Sequence, residues 1–170
     1  MEIKMYYTIN EFLSDWSSES EKSISLFSKL TDESLKQKVY DEGRTLGYIA
    51  WHVVLTIGEM LGQTGLEADC PSDGTPQPET AKEILDAYKK ASDSILEVIP
   101  KNWKDENLHD QLNVYGQEWT KEYILTSLVR HEIHHRAQMT VLMRQAGLKI
   151  PGLYGPSKEE WGNYGMEAHK

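Results

Sequence analysis

His131 and His135, in the stretch His131-Glu-Ile-His-His135, are the side chains of this 170-residue sequence whose type and spacing point most directly to chemistry. Side chains at i and i+4 of a helix lie ~5–6 Å apart at Cβ and project the same way, so two imidazoles at that spacing can hold one metal ion. The surrounding apolar stripe, Ile124, Leu128, Met139 and Leu142, marks the inward face. At ~100° per residue, with Ile124 at zero, Leu128 falls at about 40°, His131 at about 340°, His135 at about 20° and His134 at about 280°. His131 and His135 are therefore expected to point inward and His134 to sit on the flank. Two imidazoles buried a turn apart without a shared partner leave polar nitrogens unpaired at roughly 1–3 kcal/mol each, and a metal satisfies both rings.

A third imidazole, His52, lies on another amphipathic segment, on the side shared with Ile49, Thr56 and Met60, where it could approach the pair. Three neutral imidazoles with no carboxylate or thiolate suit Zn²⁺, Ni²⁺ or another late first-row ion, with one or more positions left for water or substrate. His109, in a connecting segment, and His169, one residue from the end, are expected to be solvated or supporting groups, as is His134.

His131-Glu132-Ile-His-His135 also fits the H-E-x-x-H pattern of zinc peptidases, with Glu132 as general base. That reading needs a third ligand downstream. The position six after His135 is Val141, and the carboxylates on offer, Glu159 and Glu160, follow a Gly- and Pro-rich segment. Glu132 is accordingly expected to be a supporting or surface group. Cys70, Trp51, Trp119 and Trp161 read as an incidental loop thiol and packing aromatics.

Four segments carry apolar residues at three-and-four spacing, and none shows the strict alternation of a half-buried strand, so the expectation is an all-α four-helix bundle with long crossover connections. The first helix starts at Thr8, where Glu11 completes a capping box, carries Ile9, Phe12, Leu13, Trp16, Ile24, Phe27 and Leu30, and ends near Thr31. The second runs from Thr45 to Gly62. The third starts near Thr80 and is expected to stop at Pro100. The fourth runs from Thr120 to Ala146, where Gly147 offers a left-handed cap and Pro151 prevents resumption. Residues 65–79 read as a crossover along the bundle and residues 101–119 as a packed loop; Glu159, Glu160 and Trp161 suggest a short helical turn.

Composition narrows the function. The length suits one domain over residues 1–170, and 39% hydrophobic with 26% charged residues is ordinary for a soluble protein. No apolar run approaches the ~20 residues that span a bilayer, and the first residues have neither a basic segment nor an apolar stretch for export, so a cytoplasmic protein is expected. Lone Cys70 supplies neither an internal disulfide nor a thiolate zinc cluster. A net charge of −9, with 27 acidic against 18 basic residues, disfavours nucleic-acid binding.

The stretch His131-Glu-Ile-His-His-Arg-Ala-Gln138, continuing through Leu142-Met-Arg-Gln-Ala-Gly-Leu-Lys-Ile-Pro151, resembles the signature of the DinB/YfiT family, and Leu46-Gly-Tyr-Ile-Ala-Trp-His-Val-Val54 is similar to the segment supplying that family's first histidine. Ala137 departs from the glycine that members often carry. The resemblance implies a four-helix bundle, often a homodimer, with a metal on His52, His131 and His135. It also implies chemistry of a kind some members perform: metal-dependent transfer or isomerisation using a low-molecular-weight thiol such as bacillithiol, mycothiol or glutathione on a small electrophile. A metal with an open position lowers the pKa of a bound thiol or water and so generates a nucleophile. The rival expectation is a non-catalytic metal-binding stress-response protein whose ion holds the second and fourth helices together.

Overall fold

The computed structural model describes residues 4–168; His169 lies outside them. Four helices, α1 (Ile9–Phe27), α2 (Leu46–Gly62), α3 (Ala81–Asn102) and α4 (Lys121–Gln145), form the body of the chain, as the periodicity predicts. Each starts on a threonine whose hydroxyl accepts an orphan amide: Thr8 from Glu11, Thr45 from Tyr48, Thr80 from Glu83 and Thr120 from Tyr123. Thr8 and Thr80 complete capping boxes with Glu11 and Glu83.

The connections set the helix directions. The Ala81 amide donates to Asp32 at 2.8 Å, bringing the start of α3 to the end of α1. Between α2 and α3 the chain runs back along α2, where Cys70 Sγ donates to the Val54 carbonyl and Trp51 Nε1 to the Thr75 carbonyl. This is the expected crossover, and it makes α2 and α3 parallel. At the far end the Ile9 amide donates to Asp105, the Met5 amide to Glu122 and the Tyr115 hydroxyl to Glu59. α1 and α4 therefore run one way and α2 and α3 the other, so α2 and α4 pack antiparallel and can face histidines at each other.

Three boundaries differ from the sequence reading. α1 ends at Phe27 rather than Thr31, because Thr31 and Ser34 exchange side-chain-to-amide hydrogen bonds that start a separate 3₁₀ turn at Ser34–Lys36. Pro100 does not stop α3. Its missing N–H forfeits only one bond near the helix end, and the Asn102 side chain and Trp103 amide hold the last turn by donating to the Val98 and Ile99 carbonyls. The 101–119 connection is more than a packed loop: after a 3₁₀ turn at Asp105–His109 comes a hairpin of β1 (Gln111–Val114) and β2 (Gln117–Thr120), antiparallel, turning at Tyr115 and Gly116 with positive φ at both. Two four-residue strands are too short for their alternation to stand out. A further 3₁₀ turn at Trp161–Tyr164 meets the expectation of a helical turn there.

The core is built from Phe12 and Trp16 of α1, Leu46, Val54 and Ile57 of α2, Ile84, Ile95 and Ile99 of α3, and Ile124, Leu128, Val129, Met139 and Leu142 of α4, all buried. Several polar groups inside it are paired, although Glu132 Oε2 is buried without a hydrogen-bond partner. Trp16 Nε1 donates to the Ser92 carbonyl, and Arg136 of α4 is buried against α1, donating to the Glu19 carbonyl and carboxylate and to the Ser23 hydroxyl. Tyr154, beyond α4, closes this cluster by hydrogen bonds to Arg136 and Glu19. No helix among the described residues is long and apolar enough to cross a membrane.

Breaking one half of a buried ion pair strands the other charge at a cost of roughly 3–5 kcal/mol. Glu19→Ala is accordingly expected to lower unfolding stability in urea by that amount, and a loss under about 1 kcal/mol would contradict the pairing.

Candidate metal centre

The antiparallel packing of α2 on α4 brings His52 opposite His131 and His135. His52 Nε2 lies 3.1 Å from His131 Nε2. The ring centroids are 4.9 Å apart for His52 and His131, 4.8 Å for His52 and His135, and 4.3 Å for His131 and His135. One nitrogen from each ring falls within 4.8 Å of the other two, a grouping able to hold a metal ion. The fit is chemically reasonable: metal–nitrogen bonds of about 2.0–2.1 Å on a tetrahedral ion place ligand nitrogens about 3.3 Å apart, so only small rotations of the rings are needed.

Electrostatics favour the ligating form. Burial pushes the His131 imidazolium down to about 4, with the neighbouring His135 and His52 rings adding to the effect. Burial also lowers His52, assisted by the positive charge of Arg44 and opposed by Glu59. His135 is lowered by burial and partly raised by its hydrogen bond to Gln138. All three are neutral near pH 7 and need not expel a proton to bind a cation.

The tautomer of one ring is fixed by its neighbour. His135 Nδ1 lies 2.8 Å from Gln138 Oε1, an acceptor, so Nδ1 carries the proton and Nε2 is left with its lone pair for a metal. Gln138 Nε2 donates in turn to His134 Nε2 at 3.0 Å. His134 is exposed and acts through Gln138 rather than joining the three, and His109 lies far along the chain at the 3₁₀ turn, its Nδ1 2.9 Å from Lys4 Nζ. Gln138 was legible only in retrospect, as the polar residue three after His135.

Glu132 is neither a surface group nor a base for this site. It is buried on the α1 and α3 side of α4, where Oε1 accepts the Ser23 hydroxyl at 2.6 Å and the Tyr88 hydroxyl at 2.5 Å, with Arg136 at 3.8 Å. Glu159 is paired with Arg144, and Glu160 accepts the Gly152 and Ser157 amides. The peptidase arrangement is thus not assembled. Cys70 is no activated thiol either: burial pushes it up, and its Sγ donates to the Val54 carbonyl at 3.1 Å. It packs where Gly58 leaves room, since a Cβ on Gly58 would meet Cys70 Sγ at 3.1 Å. Trp51 and Trp119 are packing groups as expected, Trp119 lying edge-on to Tyr115 and Tyr123.

Beside His135 opens a cavity of about 440 Å³, lined by Val39, Tyr40, Gly43 and Arg44 before α2, Ile49 of α2, and His134, His135, Gln138, Val141 and Leu142 of α4. Sequence periodicity singles out inward helix faces, so the loop half of this wall had no signal in it.

The sequence model of the DinB family matches residues 5–167. The uncharacterized protein YrdA of Bacillus subtilis strain 168 is 43% identical over 166 residues, 98% of this chain and 99% of that protein. A crystal structure of a DinB-like protein from Bacillus cereus ATCC 10987 is similar at TM-score 0.85 and 41% identity, covering 88% of this chain and all of that one. A second, of the DinB-like protein YjoA from Bacillus subtilis, shares the fold at TM-score 0.64 and 18% identity, over 81% of this chain and 92% of that one.

Two outcomes follow from the geometry. Elemental analysis after loading with Zn²⁺ or Ni²⁺ is expected to find close to one ion per chain, lost in His52→Ala, His131→Ala and His135→Ala and retained in His134→Ala; full retention in any of the first three would remove that residue from the site.

The second concerns the metal-free protein. An unfolded chain protonates its histidines near 6.5, whereas folded His131 resists until about 4, so between those values the unfolded state binds more protons and stability falls with falling pH. His131→Asn should flatten the denaturation midpoint against pH over that window relative to the parent. Parallel curves would contradict the buried neutral ring.

Proposed function

The chain belongs to the DinB family, and we propose that it is a metal-dependent enzyme that joins a low-molecular-weight thiol to a small electrophile, or isomerises such a compound through a thiol adduct. The observation that supports this reading is the convergence of three neutral imidazoles, with no carboxylate or thiolate among them, beside a cavity of about 440 Å³. A divalent ion held there, Zn²⁺ or Ni²⁺ in our reading, supplies a Lewis acid with its full 2+ charge, which favours the thiolate form of an entering thiol.

The chain's own residues serve the remaining needs. Gln138 holds His135 in the tautomer that leaves Nε2 free. Ile49, Val141 and Leu142 give the cavity an apolar wall against which the body of an electrophile can lie. In transfer, the thiol proton goes to solvent and the sulfur lone pair forms a C–S bond. The electron pair leaves with chloride from a chlorinated aromatic, or with the epoxide oxygen, which then takes a proton. The assembly is proposed to be a homodimer in the cytoplasm.

Incubating metal-loaded protein with cellular thiols and either electrophile, with His131→Ala as control, tests the proposal. Metal-dependent conjugate, reduced at least ~100-fold in the variant, is expected. No turnover with any thiol, together with a fourth protein ligand closing the loaded site, would favour an ion that only ties α2 to α4.

A further inference from the structure

We propose that the cavity beside His135 is a binding site for a small organic carboxylate, whose anionic end pairs with Arg44 and whose apolar body lies between Val39, Ile49, Val141 and Leu142 with its other end toward the histidines. This deepens the reading above by naming the substrate class and rests on it for the identity of the reaction, though not for binding.

Arg44 is the one permanently charged side chain lining the cavity. Among the described residues it has no ion pair; its guanidinium stands 5.0 Å over the Tyr48 ring, which itself stacks on His52. The loop acids Asp41 and Glu42 are exposed and do not line the cavity. On a protein of net charge −9, this is a local cationic pocket, and a divalent ion on the imidazoles would make it more so.

The shape of the charge selects a carboxylate over a phosphate. A planar guanidinium matches one carboxylate with two parallel bonds. A phosphate would want further donors, and two of the first amides of α2 are already engaged: Leu46 donates to the Gln37 carbonyl and Tyr48 to Thr45 Oγ1. Val39, Ile49, Val141 and Leu142 make the apolar part of the wall, opposite His134, His135 and Gln138, and Val39, Tyr40 and Val141 remain more than half exposed at the mouth, surface that a ligand body would cover. Gly43 lets the loop turn close over Tyr40, since a Cβ there would lie 3.0 Å from the Tyr40 carbonyl and 3.2 Å from its ring.

The test is a methyl NMR titration of metal-free protein with 3-phenylpropionate and, separately, the neutral 3-phenylpropionamide, in the parent and in Arg44→Gln. Arg44 is exposed, so the variant should fold. The expected result is saturable shifts of the Val39, Ile49, Val141 and Leu142 methyls, with the acid binding roughly tenfold tighter than the amide and Arg44→Gln removing that advantage while leaving amide binding in place. Equal binding of acid and amide, an unchanged preference in Arg44→Gln, shifts centred elsewhere, or no saturable shift with either would overturn the proposal. Metal uptake by the same preparation is measured separately. A protein that takes up no metal yet prefers the acid through Arg44 would defeat the enzymatic reading and leave this site standing.

Discussion

Arg136 leaves α4 little freedom to rotate. Its guanidinium is buried against α1, bonded to the Glu19 carbonyl and carboxylate and to Ser23, while Glu132, one turn earlier on the same side, takes the hydroxyls of Ser23 and Tyr88. Turning the helix by a residue's worth of rotation, ~100°, would strand these charges in an apolar core or leave them facing α2. With that face committed to α1 and α3, His131 and His135 are presented to α2, where His52 meets them. The polar cluster that carries no chemistry thus sets the orientation of the one that can. Tyr154 extends the lock beyond α4, so the segment after the helix also bears on it.

Much of this was legible in the residues. The three-and-four stripes located all four helices, with the Thr8 and Glu11 capping box marking the start of the first, and angular position alone separated His131 and His135 from His134. The 65–79 crossover followed from its length, and it matters because parallel α2 and α3 leave α2 antiparallel to α4. The partners of Glu132 and Arg136 were not legible. On a helical wheel a charged residue reads as solvated, and only the arrival of Glu19, Ser23 and Tyr88 from two other helices, 44 to 117 positions away, makes burial possible. The loop wall with Arg44 was hidden for a related reason: irregular segments have no period, so nothing in their sequence says which side chains face the site.

The centre and its surroundings differ in charge from the molecule around them. An acidic protein holds three uncharged imidazoles, with Arg44 near them and no carboxylate among the grouped donors. No carboxylate or thiolate among the grouped donors offsets the charge of an ion held there, and the cavity beside them opens on one side. The likeness to YrdA and to the Bacillus cereus DinB-like protein extends over nearly the whole of each, so the same setting of α4 is expected in those chains.

The central claim is that this packing holds a divalent ion on His52, His131 and His135. Anomalous diffraction at the zinc edge from crystals of zinc-loaded protein tests it most directly. The account predicts one strong peak about 2.0–2.1 Å from a nitrogen of each ring, Nε2 in the case of His135, with no carboxylate in contact. A peak held by other residues, or none at these imidazoles in protein whose histidines are neutral, would contradict it.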